Sequence, residues 1–218
     1  MNLSYHKDPF PHIEGSLDEN LYQDVLDSWE DLEGLQKDYI EAAGNRCNIN
    51  LKNQNIEAYL SKLCFKIHSD LMDVYLENYP KLLDKEFRLD FRALYSENKA
   101  SENSYKIRSW HLDSGDKFLV GLWYFKHPDE EEDCGGDLLL MNPLTKEHKQ
   151  VKYGSNKFVI FPNIPTAWHA VTPRNPSKYP RRYVNLLIES PELTLHNYRR
   201  TAATVDDEFR GKLINYYK

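Results

Sequence analysis

A chain of 218 residues, 40% of them hydrophobic and with 15 Tyr, 9 Phe and 4 Trp, is long enough to bury one substantial core and too aromatic to be a disordered segment. Its net charge of −6 comes with Lys and Arg scattered along the sequence, which offers no electrostatic reason to expect nucleic acid as a partner. No run approaches the roughly 20 apolar residues of a membrane helix, the N-terminus lacks the basic and apolar regions of a signal peptide, and Cys47, Cys64 and Cys134 have no CxxC spacing. The expectation is a protein of a reducing, cytoplasmic compartment, without a disulfide framework, structural zinc or membrane partner.

Residues 8–13 (DPFPHI) read as an extended, proline-punctuated lead-in. Ser16 with Glu19 three residues on has the pattern of a capping box, which predicts a helix carrying Leu21, Val25, Leu26 and Trp29 on one face. After a polar stretch over 44–55, the segment 56–79 repeats the helical spacing through Tyr59, Leu60, Leu63, Ile67, Leu71, Val74 and Tyr75, predicting a second, longer helix. Both read as amphipathic cover helices with no chemistry of their own.

From Phe87 onward the period becomes that of strands, expected over 87–95, 118–125, 137–142, 157–161, 169–172 and 183–189. Many short strands with long, Gly- and Pro-marked connections suggest a sandwich or jelly roll. The acidic run 129–133 (DEEED) reads as a solvated hairpin loop, and 204–217 as a closing helix. The whole chain, 1–218, is expected to be a single domain: a mainly helical lead-in (1–85), a jelly-roll core (86–190) and a C-terminal extension (191–218).

Two imidazoles and a carboxylate on one side of a metal, with the remaining positions open, are what a non-haem Fe(II) site requires. A His-x-acid pair supplies two of the three, but with 8 His and 34 Asp plus Glu, chance alone produces about one such pair. This chain has five: His6/Asp8, His12/Glu14, His68/Asp70, His111/Asp113 and His127/Asp129. The first two lie in the lead-in, His68 lies in a helix where residues two apart face different ways, and His127 leads into the acidic loop. His111 and Asp113 immediately precede a strong strand, and His169 follows another (KFVIFPNIPTAWHAV), so these three are the expected metal ligands.

The last strand, RRYVNLLI, alternates. If Val184, Leu186 and Ile188 point into the barrel, so does Arg182, and an inward guanidinium is costly unless an anion meets it. Arginine suits a carboxylate, which it grips through two parallel hydrogen bonds. An exposed strand-end arginine is the alternative reading, which fits Arg181 better than Arg182, although Arg181 remains a competitor for the inward place. Tyr124, in LWYF, is expected to point inward similarly to Arg182 and to offer a phenol to the same carboxylate.

In order, the segments DPFPHIEGSLDENLYQDVL, FRALYSE, HLD, GLWYFKH, GGDLLLM, FVIFPNIPTAWHAV and RRYVNLLI resemble the 2-oxoglutarate/Fe(II) oxygenase superfamily, and more closely its prolyl 4-hydroxylase-like branch. The resemblance implies a mainly β protein with flanking helices (α+β), its double-stranded β-helix core (jelly-roll, cupin-like) packed by N-terminal helices. It implies Fe(II) on His111, Asp113 and His169, and 2-oxoglutarate as co-substrate with its distal carboxylate held by Arg182, Tyr124 and Tyr95. Ascorbate enters as an accessory reductant. The implied reaction is hydroxylation of a small molecule, a prolyl or other residue of a peptide or protein, or an amino acid, coupled to decarboxylation of 2-oxoglutarate to succinate. Arg108, Trp110, Trp168 and the 95–111 insert are candidate substrate contacts at the mouth. The competing reading is a cupin-like module that binds a metal or a small acid without turnover.

Overall fold

A computed structural model describes residues 1–30, 37–41, 44–49 and 53–195, so the helix expected over 204–217 lies outside the described residues. The strands are β1 (Asn2–His6), β2 (His12–Ser16), β3 (Arg46–Ile49), β4 (Asp90–Asn98), β5 (Arg108–His111), β6 (Lys117–Phe125), β7 (Leu138–Met141), β8 (His148–Val151), β9 (Lys157–Pro162), β10 (Trp168–Val171) and β11 (Arg181–Glu189). The helices are α1 (Glu19–Glu30), α2 (Gln54–Asp70) and α3 (Met72–Asn78), followed by a 3₁₀ turn at Pro80–Asp84. No helix among the described residues is long and apolar enough to cross a membrane.

Two antiparallel sheets face each other: a seven-stranded one in the order β1-β2-β9-β6-β11-β4-β3 and a four-stranded one in the order β5-β10-β7-β8. This is a mainly β, double-stranded β-helix architecture, with the helices on the outer face of the larger sheet. Along β11 the side chains alternate between two buried layers. Trp29 of α1 packs edge-on against Tyr95 of β4 and tilted against Phe125 of β6, and Tyr75 of α3 donates its hydroxyl hydrogen bond to the Phe118 carbonyl. Fully buried side chains such as Trp29, Leu60, Trp123 and Val184 each contribute about 1.5–3 kcal/mol through removal from water.

Several expectations change in detail. Ser16 does not cap α1; it ends β2, paired with Asn2 and Lys157. The cap is Asp18, whose carboxylate accepts from the Asn20 and Leu21 amides at 3.1 and 3.3 Å. The helix expected over 56–79 is two helices, interrupted at Leu71 (φ −98°, ψ 10°), a buried residue around which both segments keep an apolar face on the sheet. The lead-in 1–85 is less helical than expected, because β1, β2 and β3 extend the larger sheet at both edges.

The acidic loop is not wholly solvated. Glu130 is buried and paired with the fully buried Arg174, whose guanidinium also donates to the Cys134 and Tyr179 carbonyls at 3.1 and 3.0 Å. That pair ties the loop after β6 to the loop before β11. Asn156, in the turn before β9, bonds the Leu17 backbone in both directions and accepts from the Trp123 indole at 2.9 Å, locking the start of α1 to the sheet.

Candidate active site

His111 ends β5 and His169 is the second residue of β10; the two strands pair antiparallel with these residues opposite each other. Asp113 follows in the turn before β6. The three side chains converge: His111 Nε2 lies 4.0 Å and His169 Nε2 3.9 Å from the Asp113 carboxylate oxygens, and the two imidazole centroids are 4.2 Å apart. One ligand atom from each lies within 4.8 Å of the others, and no other group of three His, Cys, Asp or Glu among the described residues has this geometry.

Hydrogen bonding fixes the tautomers. His111 Nδ1–H donates to the Ser109 carbonyl at 2.8 Å and His169 Nδ1–H to the Ala167 carbonyl at 3.2 Å. A carbonyl only accepts, so each Nδ1 carries the proton and each Nε2 presents a lone pair. Burial lowers both imidazoles from the ordinary histidine value, helped at His111 by the neighbouring His169 ring, so the neutral form is favoured at pH 7 in each. Burial works in the opposite direction on Asp113, but the Lys117 ammonium 3.1 Å away, with His169 and His111, holds its carboxyl well below the usual range. Two neutral nitrogens and one carboxylate oxygen from a single cluster fit a facial Fe(II) site.

The cluster opens into a cavity of about 270 Å³. Val120, Leu122, Leu138 and Phe161 form apolar walls, while Arg181, Tyr183 and Asn185 of β11 line the side away from the helices. Arg181 is 1% exposed. Its Nε donates to the Gly136 carbonyl at 2.8 Å and its Nη1 to Asn98 Oδ1 at 3.1 Å, while Nη2 has no hydrogen-bond partner. The rings of Tyr183, Tyr124 and Tyr153 surround the guanidinium at 4.6, 5.0 and 5.4 Å. The Tyr124 hydroxyl is buried without a partner, and burial pushes it up to about 12 against the pull of Arg181, so it remains a protonated donor at pH 7.

Arg182 is not the cavity arginine. Its guanidinium lies 6.0 Å from the Trp29 ring, and its Nε lies 3.5 Å from Glu97, in a buried cluster with Lys37 and the Tyr39 hydroxyl. Val184, Leu186 and Ile188 do share its face, but that face meets the helices. Tyr95, opposite Val184 in the register, follows the same parity and packs against Trp29 rather than toward the metal cluster. Tyr124, opposite Tyr183, falls on the cavity side.

The other His-x-acid pairs are held elsewhere. His12 bonds the Phe10 carbonyl and Glu14, His68 is buried against Tyr75, and His127 stacks on Tyr179. Of the mouth candidates, Arg108 lines the cavity, whereas Trp168 alternates to the face of β10 opposite His169. The insert packs on the loop before β11 through bridges Ser101–Ser177 and Tyr105–Arg174. Lys117, Asn98, Arg46 and Tyr183 escaped the sequence reading. The only signal for any of them was the position of Lys117 four residues beyond Asp113.

Proteins of known structure share this architecture. A prolyl hydroxylase from Trichoplax adhaerens, in complex with a hypoxia inducible factor oxygen degradation domain peptide fragment, superposes with a TM-score of 0.58 over 82% of this chain and 83% of its own, at 15% identity. A Pseudomonas putida prolyl-4-hydroxylase does so with a TM-score of 0.55 over 82% and 91%, at 14% identity. The likeness is one of fold. No protein-family model matches the sequence, and no curated protein is detectably similar to it.

Proposed function

We propose that the chain, as one domain, is an Fe(II)-dependent oxygenase that takes 2-oxoglutarate as co-substrate and hydroxylates an organic substrate. One observation carries this reading. A two-histidine, one-carboxylate cluster opens onto the same cavity as a buried guanidinium that has an N–H without a partner. A buried cation with an unmet donor is costly unless an anion completes it, and a diacid reaching from the metal cluster supplies that anion.

In this reading His111, Asp113 and His169 hold the iron, which when bound supplies oxygen activation coupled to decarboxylation of 2-oxoglutarate to succinate. Arg181 and Tyr124 receive the distal carboxylate, the first through Nη2 and the second through its hydroxyl. The apolar walls exclude water from the reacting centre. Lys117 binds Asp113 Oδ1 and so restrains the rotation of that carboxylate. The three buried free cysteines suit the reducing cytoplasm.

The test is succinate release by purified protein supplied with Fe(II), ascorbate and 2-oxoglutarate. His111→Ala, Asp113→Ala and His169→Ala are each expected to abolish it. Undiminished turnover in any one of them removes that residue from the ligand set. A metal-loaded wild type that binds 2-oxoglutarate but never yields succinate would favour the cupin-like binding module instead.

A further inference from the structure

Two arginines stand at the outer wall of the cavity, on segments far apart in sequence. Arg46 begins β3 and Arg108 begins β5, and both line the space into which the metal cluster opens. Their approach is built into the backbone. Gly44, at φ +75°, packs so closely that a Cβ there would lie 2.4 Å from the Ile107 carbonyl oxygen, which clamps the turn before Arg46 onto the residue before Arg108. Asn98 Nδ2 donates to the Gly44 carbonyl at 2.9 Å while its Oδ1 accepts from Arg181, so one side chain links the mouth to the deep guanidinium.

Register carries the same relation. Arg46 lies opposite Asn98, and Asn98 opposite Arg181, so the three form one row across β3, β4 and β11 with an arginine at each end. Arg46 is half-buried, and its guanidinium makes no hydrogen bond or ion pair with the described residues. Arg108 lies three residues before His111 on the same short strand, β5, and lines the cavity together with it. Among the described lining residues the single acid is Asp113, which is already bonded to Lys117. Cationic side chains therefore outnumber anionic ones among the described lining residues, and the others at the mouth, Ile40, Ile107 and Val171, are aliphatic.

We propose that Arg46 and Arg108 form a carboxylate-reading subsite that orients an aliphatic acid, so that a carbon of its chain lies against the His111, Asp113 and His169 cluster. This rests on the oxygenase reading for its consequence, but the subsite itself is a binding property. Guanidinium forks match a carboxylate bidentately, and an isosteric amide forfeits both the charge and one acceptor. The carboxylate belongs either to a free acid or to an acidic residue of a peptide.

The experiment is calorimetric titration of the full chain, loaded anaerobically with Mn(II) and saturating 2-oxoglutarate. The probes are hexanoate, hexanamide, and the acetylated, amidated tripeptide Ala-Glu-Ala with its glutamine counterpart. At least one acid is expected to bind ten times or more tighter than its amide, and the tighter acid identifies the source. In Arg46→Gln/Arg108→Gln that preference falls to within about twofold, while Arg46→Lys/Arg108→Lys retains part of it and serves if the first variant does not fold. Equal binding of acid and amide to wild type overturns the subsite. So does a preference that survives the glutamine variant, or an acid that displaces 2-oxoglutarate and therefore reads Arg181. Failure of the oxygenase reading looks different: 2-oxoglutarate then does not bind the Mn(II)-loaded chain before any probe is added, and the acid-over-amide preference is still measured on the metal-free chain.

Discussion

Replacing Arg181 with Met removes the charge at the deep end of the cavity while keeping an unbranched chain of similar bulk between the Tyr124, Tyr153 and Tyr183 rings. Two consequences follow. The Gly136 carbonyl and Asn98 Oδ1 each lose a donor at 2.8 and 3.1 Å, costing about 1–3 kcal/mol apiece in stability unless water replaces it. A bound carboxylate loses a buried charge partner, for which about 2–5 kcal/mol is typical, corresponding to a weakening of roughly 30- to 5,000-fold. Calorimetric titration of 2-oxoglutarate into Mn(II)-loaded protein reads the second effect, and thermal denaturation reads the first. Arg182→Met is the matched comparison, since that guanidinium sits against Trp29 and Glu97 on the other face of β11 and should affect folding rather than co-substrate affinity. If Arg182→Met abolishes 2-oxoglutarate binding while Arg181→Met leaves it within threefold of wild type, the assignment of the anchor to Arg181 is wrong.

Three further outcomes are expected. Gly136→Ala places a Cβ 2.6 Å from Arg181 Cδ at φ +81°, so calorimetry should show weaker 2-oxoglutarate binding with Mn(II) binding retained; an unchanged co-substrate affinity would mean that Arg181 is not held by this contact. Glu130→Ala leaves Arg174 buried and unpaired, at a cost of about 3–5 kcal/mol and hence a fall in Tm of roughly 6–20 °C, and a drop below about 2 °C would refute that role. Burial lowers His68 to about 4. Its neutral form is favoured in the fold, so its contribution is complete above pH 6.5 and is lost as the pH falls toward 4. Between those values wild type should lose up to about 3 kcal/mol more stability than His68→Phe, as read by denaturant titration at each pH; parallel pH profiles would show that His68 is solvated.

Much of this molecule was legible because its patterns are local. The change from helical to alternating period near residue 87 separated the cover helices from the strands, and β6, β7, β9, β10 and β11 fall within one or two residues of their expected ends. The His111/Asp113 pair was distinguished from four rivals by the strand that follows it, and the structure brings His169 to it across the β5–β10 pairing. β3 and β8 were not legible: each is a four-residue edge strand of mixed polarity whose structure comes from pairing with a distant partner. Glu130 was hidden for a similar reason, because a run of acids carries no mark of the one member that a buried arginine 44 residues away will claim.

The sequence by itself determined parity: which side chains of β11 share a face, that Arg182 travels with Val184, Leu186 and Ile188, and that one of two adjacent arginines must be turned toward the cavity. Only the tertiary structure decided which one. A strand exposed on one side declares its inner face by hydrophobicity, whereas both faces of β11 are buried, one under α2 with Trp29 of α1 near Arg182, and the other against the cavity. The apolar residues mark the helix layer, and the polar ones, Arg181, Tyr183 and Asn185, line the site. Under the proposed function that inversion has a physical reason: a cavity that takes a charged ligand is an interior surface where polar side chains are stabilised by what they bind rather than by exclusion of water.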